Sequence, residues 1–201
     1  MCIRDSPDRF PTDANGNLIF VESIMRRSSS GETWYSPHIQ TKINDVSATA
    51  GAKGVAFGSW GWDLSNTTGR NNFHFFGDKT FNASQGDAQR HFDDGGFSYL
   101  QNTTNLNFNR TFAKNFNLGL GVEYRMENYK IFAGEEASYR NYDGTKATGA
   151  QGFPGYQIAD EVDAKRNVLG VYGDAEFDVT SKWMMNLAAR MENYSDFGFT
   201  H

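Results

Sequence analysis

Between residues 116 and 127 the chain alternates without a break. Phe116, Leu118, Leu120, Val122, Tyr124 and Met126 fall on one side, and Asn117, Gly119, Gly121, Glu123, Arg125 and Glu127 on the other. Successive side chains of a β-strand point to opposite faces, so a period of two with every charge on one side predicts a strand dividing an apolar surface from a polar one. The pattern recurs along the chain. Val46, Ala48, Ala50 and Ala52 oppose Ser47, Thr49, Gly51 and Lys53, while Trp60, Trp62 and Leu64 oppose Gly61, Asp63 and Ser65. Leu106, Phe108 and Phe112 oppose Asn105, Asn107 and Asn109. Further on, Leu169, Val171, Ala175, Phe177 and Val179 oppose Tyr172, Asp174, Glu176 and Asp178, and Trp183, Met185, Leu187, Ala189 and Met191 oppose Asn186, Arg190 and Glu192. With a short strand over 18–25, this predicts about seven strands, at 18–25, 43–56, 60–76, 97–112, 116–127, 169–179 and 183–192.

The connections carry a second pattern. Breaks of three residues at 57–59, 113–115 and 180–182 alternate with polar stretches at 26–37, 77–96 and 134–164. Long structureless loops are uncommon in compact soluble domains, whereas short turns on one side and long loops on the other are the habit of outer-membrane barrels. Trp60, Trp62 and Trp183 sit beside the short turns, where an interfacial aromatic girdle belongs. The expected fold is therefore all-β, part of a transmembrane antiparallel β-barrel with short periplasmic turns and long extracellular loops. A soluble β-sandwich binding module and a plug-free porin-like barrel remain as alternatives.

Composition narrows this further. No stretch of the 201 residues approaches the ~18 apolar positions that a spanning helix needs. A polar mean hydropathy does not count against a barrel, whose strands interleave lipid-facing and lumen-facing residues. An aromatic share of 15% argues against disorder, and a net charge of -5 offers no footprint for nucleic acid. Cys2 is the single cysteine, so no intrachain disulfide can form. Residues 1–6, Met-Cys-Ile-Arg-Asp-Ser, lack the apolar core of an export signal and resemble an adapter-derived, non-native leader. They are set aside, leaving 7–201 as the folding unit, read as an internal piece of a longer barrel.

Several segments resemble the barrel of TonB-dependent outer-membrane receptors. They are Glu123-Tyr-Arg-Met-Glu127, then Tyr129-Lys-Ile-Phe-Ala-Gly-Glu-Glu-Ala-Ser-Tyr139, Gly149-Ala-Gln-Gly-Phe-Pro-Gly155, and the closing Ala189-Arg-Met-Glu-Asn-Tyr-Ser-Asp-Phe-Gly198. Residues 44–54 and 64–69 fit the same likeness, which covers most of 41–201. The resemblance implies a 22-stranded barrel in the bacterial outer membrane, plugged by an N-terminal domain and energised by the TonB complex. It implies import of a scarce small-molecule or oligosaccharide ligand such as a ferric siderophore, cobalamin or an oligosaccharide. No plug and no TonB-contact segment is recognisable in this chain, whose surroundings would be outer-membrane lipid.

His38, His74, His91 and His201 show no metal-ligand spacing, and no catalytic motif, metal site or cofactor is expected. Asp93-Asp94-Gly95-Gly96 lacks the alternating acids of a calcium loop and reads as a turn. Gly58-Ser59-Trp60-Gly61 falls one residue short of a nucleophile elbow. The polar faces place Glu123, Arg125, Glu127, Asp174, Glu176, Arg190 and Glu192 toward the lumen, where pairing among themselves is the expected role. The long loop offers Tyr139, Arg140, Tyr142, Gln151, Phe153 and Tyr156 as ligand contacts, since aromatic and Arg side chains supply much of the energy at interfaces and exposed loops carry function.

Overall fold

The computed structural model describes residues 3, 4, 7–86 and 88–201. Of the leader, Met1, Cys2, Asp5 and Ser6 lie outside the described residues; Ile3–Arg4 pair with Tyr35 and Trp34. The strands are β1 (Ile3–Arg4), β2 (Met25–Arg27), β3 (Thr33–Tyr35), β4 (His38–Ala56), β5 (Trp60–Asp78), β6 (His91–Ala113), β7 (Phe116–Phe132), β8 (Val162–Thr180), β9 (Trp183–Tyr194) and β10 (Gly198–Thr200). One helical turn, α1 (Glu136–Tyr139), interrupts the longest connection. Strands β4 to β10 form one seven-stranded antiparallel sheet in sequence order, and β1, β3 and β2 form a small second sheet.

The three predicted breaks are the hairpin turns of the large sheet. A connection of two or three residues joins only antiparallel neighbours, so these turns dictate the up-and-down order. At 57–59 the chain turns through Phe57, Gly58 and Ser59, all with positive φ (49°, 71° and 121°). In the β8–β9 pair the register runs from Val168 opposite Tyr194 to Asp178 opposite Met184, with an irregularity before Thr180 meets Trp183.

The strands outrun their sequence pattern. Residues 77–78, 91–96 and 162–164 were expected to be loop and are strand, β7 runs five residues past its expected end at 127, and β4 begins at His38, five residues before the expected start. The ~9–11 residues that cross a bilayer must alternate because their two faces meet different solvents. Farther from the short turns both faces meet water, so the period fades while backbone pairing continues. The expected strand over 18–25 is absent; only an isolated bridge, Thr12 to Leu18, and β2 occur there, and β10 completes the seven strands instead.

The chain divides into two compact units. One comprises 1–44, 72–98 and 130–163. Its core is Phe10, Val21, Met25, Tyr35 and Phe81, with Ile19, Phe20 and Ile24 packed against it. Tyr35 packs against Phe81 with the rings tilted and 4.6 Å apart, and meets Phe10 edge-on at 5.6 Å. These side chains form an interior closed by apolar burial.

The other unit comprises 45–71, 99–129 and 164–201, and it has no such interior. Its apolar residues form one face of the sheet and stay exposed: Leu120 and Val122 are each 42% accessible and Leu187 60%. A contiguous apolar face of this size on a protein in water would aggregate or be covered; hydrocarbon satisfies it. The opposite face carries the charges. Within it Gly121 has a clear purpose, because a Cβ there would fall inside the Tyr172 ring that lies across from it. Gly119 has no such neighbour; its nearest atom is 3.8 Å from the Cβ position. Gly121→Ala is therefore expected to lower unfolding free energy by ~1–3 kcal/mol through overpacking, with Gly119→Ala close to neutral, as read from denaturant titrations of the folded barrel.

Candidate functional site

Two groups of side chains stand out, one in each unit. The first gathers around the long connection. Its residues 133–156 are tied to β6 by backbone bonds, Glu135 N donating to Asp93 O (2.9 Å) and Tyr156 N to Asp94 O (3.0 Å), and Gly134 N closes the connection on Tyr156 O (3.0 Å). Gly95 and Gly96 permit this. A Cβ on either would collide with the carbonyl oxygen of Phe132 or Phe73, and Gly95 has φ of +75°. The Asp-Asp-Gly-Gly sequence is thus a strand segment of close backbone approach, correcting the expected turn.

The buried residues of this connection hold its shape. Asn82, fully buried, donates to the carbonyls of Ala137 (2.9 Å) and Arg140 (2.7 Å). Gln151 is 4% exposed; its backbone bonds Phe81 and Thr80, and its amide bonds Gly149 (3.0 Å) and Arg9 (3.4 Å). Of the six loop candidates, Gln151 is thus placed in the interior of the loop. Arg140 is exposed, pairs with Glu136, and lies 5.2 Å over the Tyr142 ring, with Tyr139 half-buried beside it. Phe153 and Tyr156, half-buried, meet at 6.0 Å and both contact Phe75, at 5.4 and 6.4 Å. Phe75 in turn meets Phe73 (5.1 Å) and Phe97 (5.8 Å), and Phe73 stacks on Phe97 at 5.3 Å. Five rings from two strands and one loop therefore form a partly open aromatic cluster. Phe73, Phe75 and Phe97 escaped the sequence reading, although 73 and 75 share the face of Asp63 and Ser65.

Asp94 lies beneath this backbone junction. Its side chain is fully buried, and neither carboxyl oxygen has a hydrogen-bond partner. Burial pushes its pKa up to about 7, and the charges of Asp93 and Glu135 add to the rise. His74 bonds Asp93 at 2.6 Å, and His38 and His91 flank Asp78 at 3.9 and 3.6 Å. Among the described residues no group of three His, Cys, Asp or Glu stands in metal-holding geometry.

The second group lies on the charged face of the strand wall. Arg125 on β7 reaches Glu123 (3.1 Å) and Glu127 (3.2 Å), both from its own strand. Arg190 on β9 bonds Glu123 (2.9 Å) and Glu192 through Nε (2.9 Å). Arg166 on β8 closes on Glu127, and the hydroxyls of Tyr99 (2.8 Å) and Tyr194 (2.5 Å) donate to Glu127 and Glu192. Five predicted lumen residues, Glu123, Arg125, Glu127, Arg190 and Glu192, thus join one network with Arg166, Tyr99 and Tyr194. Asp174 and Glu176 stand apart, bonded to Asn186 (2.9 Å) and Asn117 (3.0 Å). A cavity of about 310 Å³ opens beside the network, lined by Tyr99, Glu127, Tyr129, Lys165, Arg166 and Asp196.

A meander of long strands with short turns at one end, one apolar face and one face of linked charges defines the wall of an outer-membrane-type β-barrel. The family model for TonB dependent receptor-like β-barrels matches residues 4–201, and the chain belongs to that family, whose members are outer-membrane transporters. No match was found among curated proteins or among solved structures.

The buried Asp94 gives the loop unit a pH dependence. An unfolded aspartate ionises near ~3.9, while the folded one keeps its proton to about 7. The unfolded state therefore releases this proton first, and stability falls as pH rises from ~4 toward 7, then levels off. Protection factors for hydrogen exchange across 133–156, with the base-catalysed intrinsic rate divided out, should fall over that window and should lose this slope in Asp94→Asn.

Proposed function

We propose that this chain is part of the barrel wall of an active outer-membrane transporter. It would import a scarce ligand, such as a ferric siderophore, cobalamin or an oligosaccharide, with energy relayed by the TonB complex through a plug domain carried elsewhere in the receptor. Support comes from the family match joined to the two-faced wall. The outer strands β4 and β10 each end the sheet with an unpaired edge, and lipid cannot satisfy such edges. Residues 7–201 would accordingly close a barrel only together with further strands.

Ligand capture is assigned to the aromatic cluster of Phe73, Phe75, Phe97, Phe153 and Tyr156, with Tyr139, Arg140 and Tyr142 on the neighbouring loop surface. Rings held by backbone bonds offer flat contact area with little ordering cost. Glu123, Arg125, Glu127, Asp174, Glu176, Arg190 and Glu192 form the polar inner wall against which a plug would rest. The reading assigns no catalytic residue to the chain.

The test uses the full-length receptor in cells lacking other receptors, offered labelled ferric siderophores, cobalamin and oligosaccharides. Uptake of one of them should cease when the proton gradient is collapsed or TonB is removed, while surface binding persists. The double variant Phe153→Ala, Tyr156→Ala should weaken surface binding by about tenfold or more, the loss of one strong anchor. Uptake that continues without TonB would indicate passive, porin-like passage instead.

A further inference from the structure

The apolar face of the wall carries one charge. Following each strand outward from its short turn for the ~10 residues that cross a bilayer, the face bears only uncharged side chains on β4, β5, β7, β8 and β9. On β6 it bears Arg110, three residues before the strand ends at Ala113 and on the same side as Phe108 and Phe112. A cation on a lipid-facing surface is costly at mid-bilayer and tolerated near the interface, where a polar headgroup can meet it. Among the described residues Arg110 makes no ion pair or hydrogen bond, and its Nε is shielded from solvent without a partner.

Its surroundings are aromatic. The guanidinium lies 4.8 Å from the centre of the Phe112 ring and 5.9 Å from that of Trp60. Trp60 meets Phe112 edge-on at 5.7 Å, Phe112 stacks on Phe116 at 5.6 Å, and Phe116 stacks on Phe177 at 4.7 Å. Four adjacent strands thus carry a continuous ledge of rings beside the short turns, with a single cation set into it. Ring faces hold a guanidinium in place by their quadrupoles but accept none of its N–H groups in the way an oxyanion does. The ledge lies at the level of an interfacial girdle, where lipid phosphates reside. The planar guanidinium fork matches two phosphate oxygens at once.

We propose that Arg110, held between Trp60 and Phe112, is a headgroup site for a phospholipid of the leaflet on the short-turn side. The guanidinium takes the phosphate, and Phe112 and Phe116 pack against the start of the acyl chains. The apolar character of the surrounding face selects a lipid over a free anion, because the phosphate arrives on a chain that the face itself solvates. The site depends on the apolar face meeting lipid and is independent of which ligand the receptor imports.

The experiment titrates the full-length receptor, purified in a neutral detergent, with dihexanoyl phosphatidylglycerol and reads bound lipid by native mass spectrometry. Saturable binding is expected, weakened about tenfold or more in Arg110→Ala and less in Arg110→Lys, which keeps the charge but loses the fork. Arg110→Met preserves side-chain length and apolar packing, so it gives the same reading if the alanine variant fails to fold. Dihexanoylglycerol, which lacks the phosphate, should bind no better than it does to the variants, and inorganic phosphate at the same concentration should not displace the lipid. Unchanged phosphatidylglycerol binding in Arg110→Met, equal binding of dihexanoylglycerol, or displacement by inorganic phosphate would each overturn the proposal.

Discussion

Everything in this wall follows from one constraint: a strand that crosses hydrocarbon must pair every backbone N–H and C=O sideways, because lipid accepts no hydrogen bonds. Once the backbone is fixed in that way, the only remaining freedom is the side chain, and side chains alternate. The face toward lipid then excludes charge except at Arg110 beside the short turns, and the face toward water gathers it. In β7 both demands are met in adjacent residues, Leu120 and Val122 on one side, Glu123 and Arg125 on the other. The charges on the inner face do not stand alone. Arg125 and Arg190 meet at Glu123, while Arg125 and Arg166 share Glu127, so register between strands is written in ion pairs as well as in the backbone ladder.

The loop unit is governed by a different requirement. Here water is available, and order comes from an apolar core around Tyr35 and Phe81 and from backbones brought into close contact by Gly95 and Gly96. Close contact of that kind leaves little room for solvent, which is why Asp94 is enclosed with no partner for its carboxyl. The same junction holds Tyr156 by its backbone and presents its ring, with Phe153, against Phe75. Fixing the backbone and leaving the rings half-open is what the ligand-receiving role proposed for this surface would require.

What could be read from the sequence was whatever lay between two solvents. The turns at 57–59, 113–115 and 180–182 and the strands leading away from them were legible, since alternation there is imposed by the bilayer. The outer end of β8 was not, because polar residues on both faces at 162–167 erase the period without ending the strand. Arg166 was overlooked for that reason, and Tyr99 because its partner Glu127 becomes a neighbour only once strand register is known. Asp94 and Gln151 illustrate the same limit: their burial arises from segments distant in sequence, and nothing local announces it.

The central claim is that one face of the strand wall meets lipid and the other water. Single spin labels placed one at a time along 116–127 of the full-length receptor in vesicles, with Cys2 replaced, test it most directly. Collision with oxygen should peak at 118, 120, 122 and 124, and collision with a water-soluble nickel complex at 117, 119, 121 and 123, two period-two curves out of phase. Equal access of the nickel complex to both sets would contradict the account and leave the chain a water-exposed sheet.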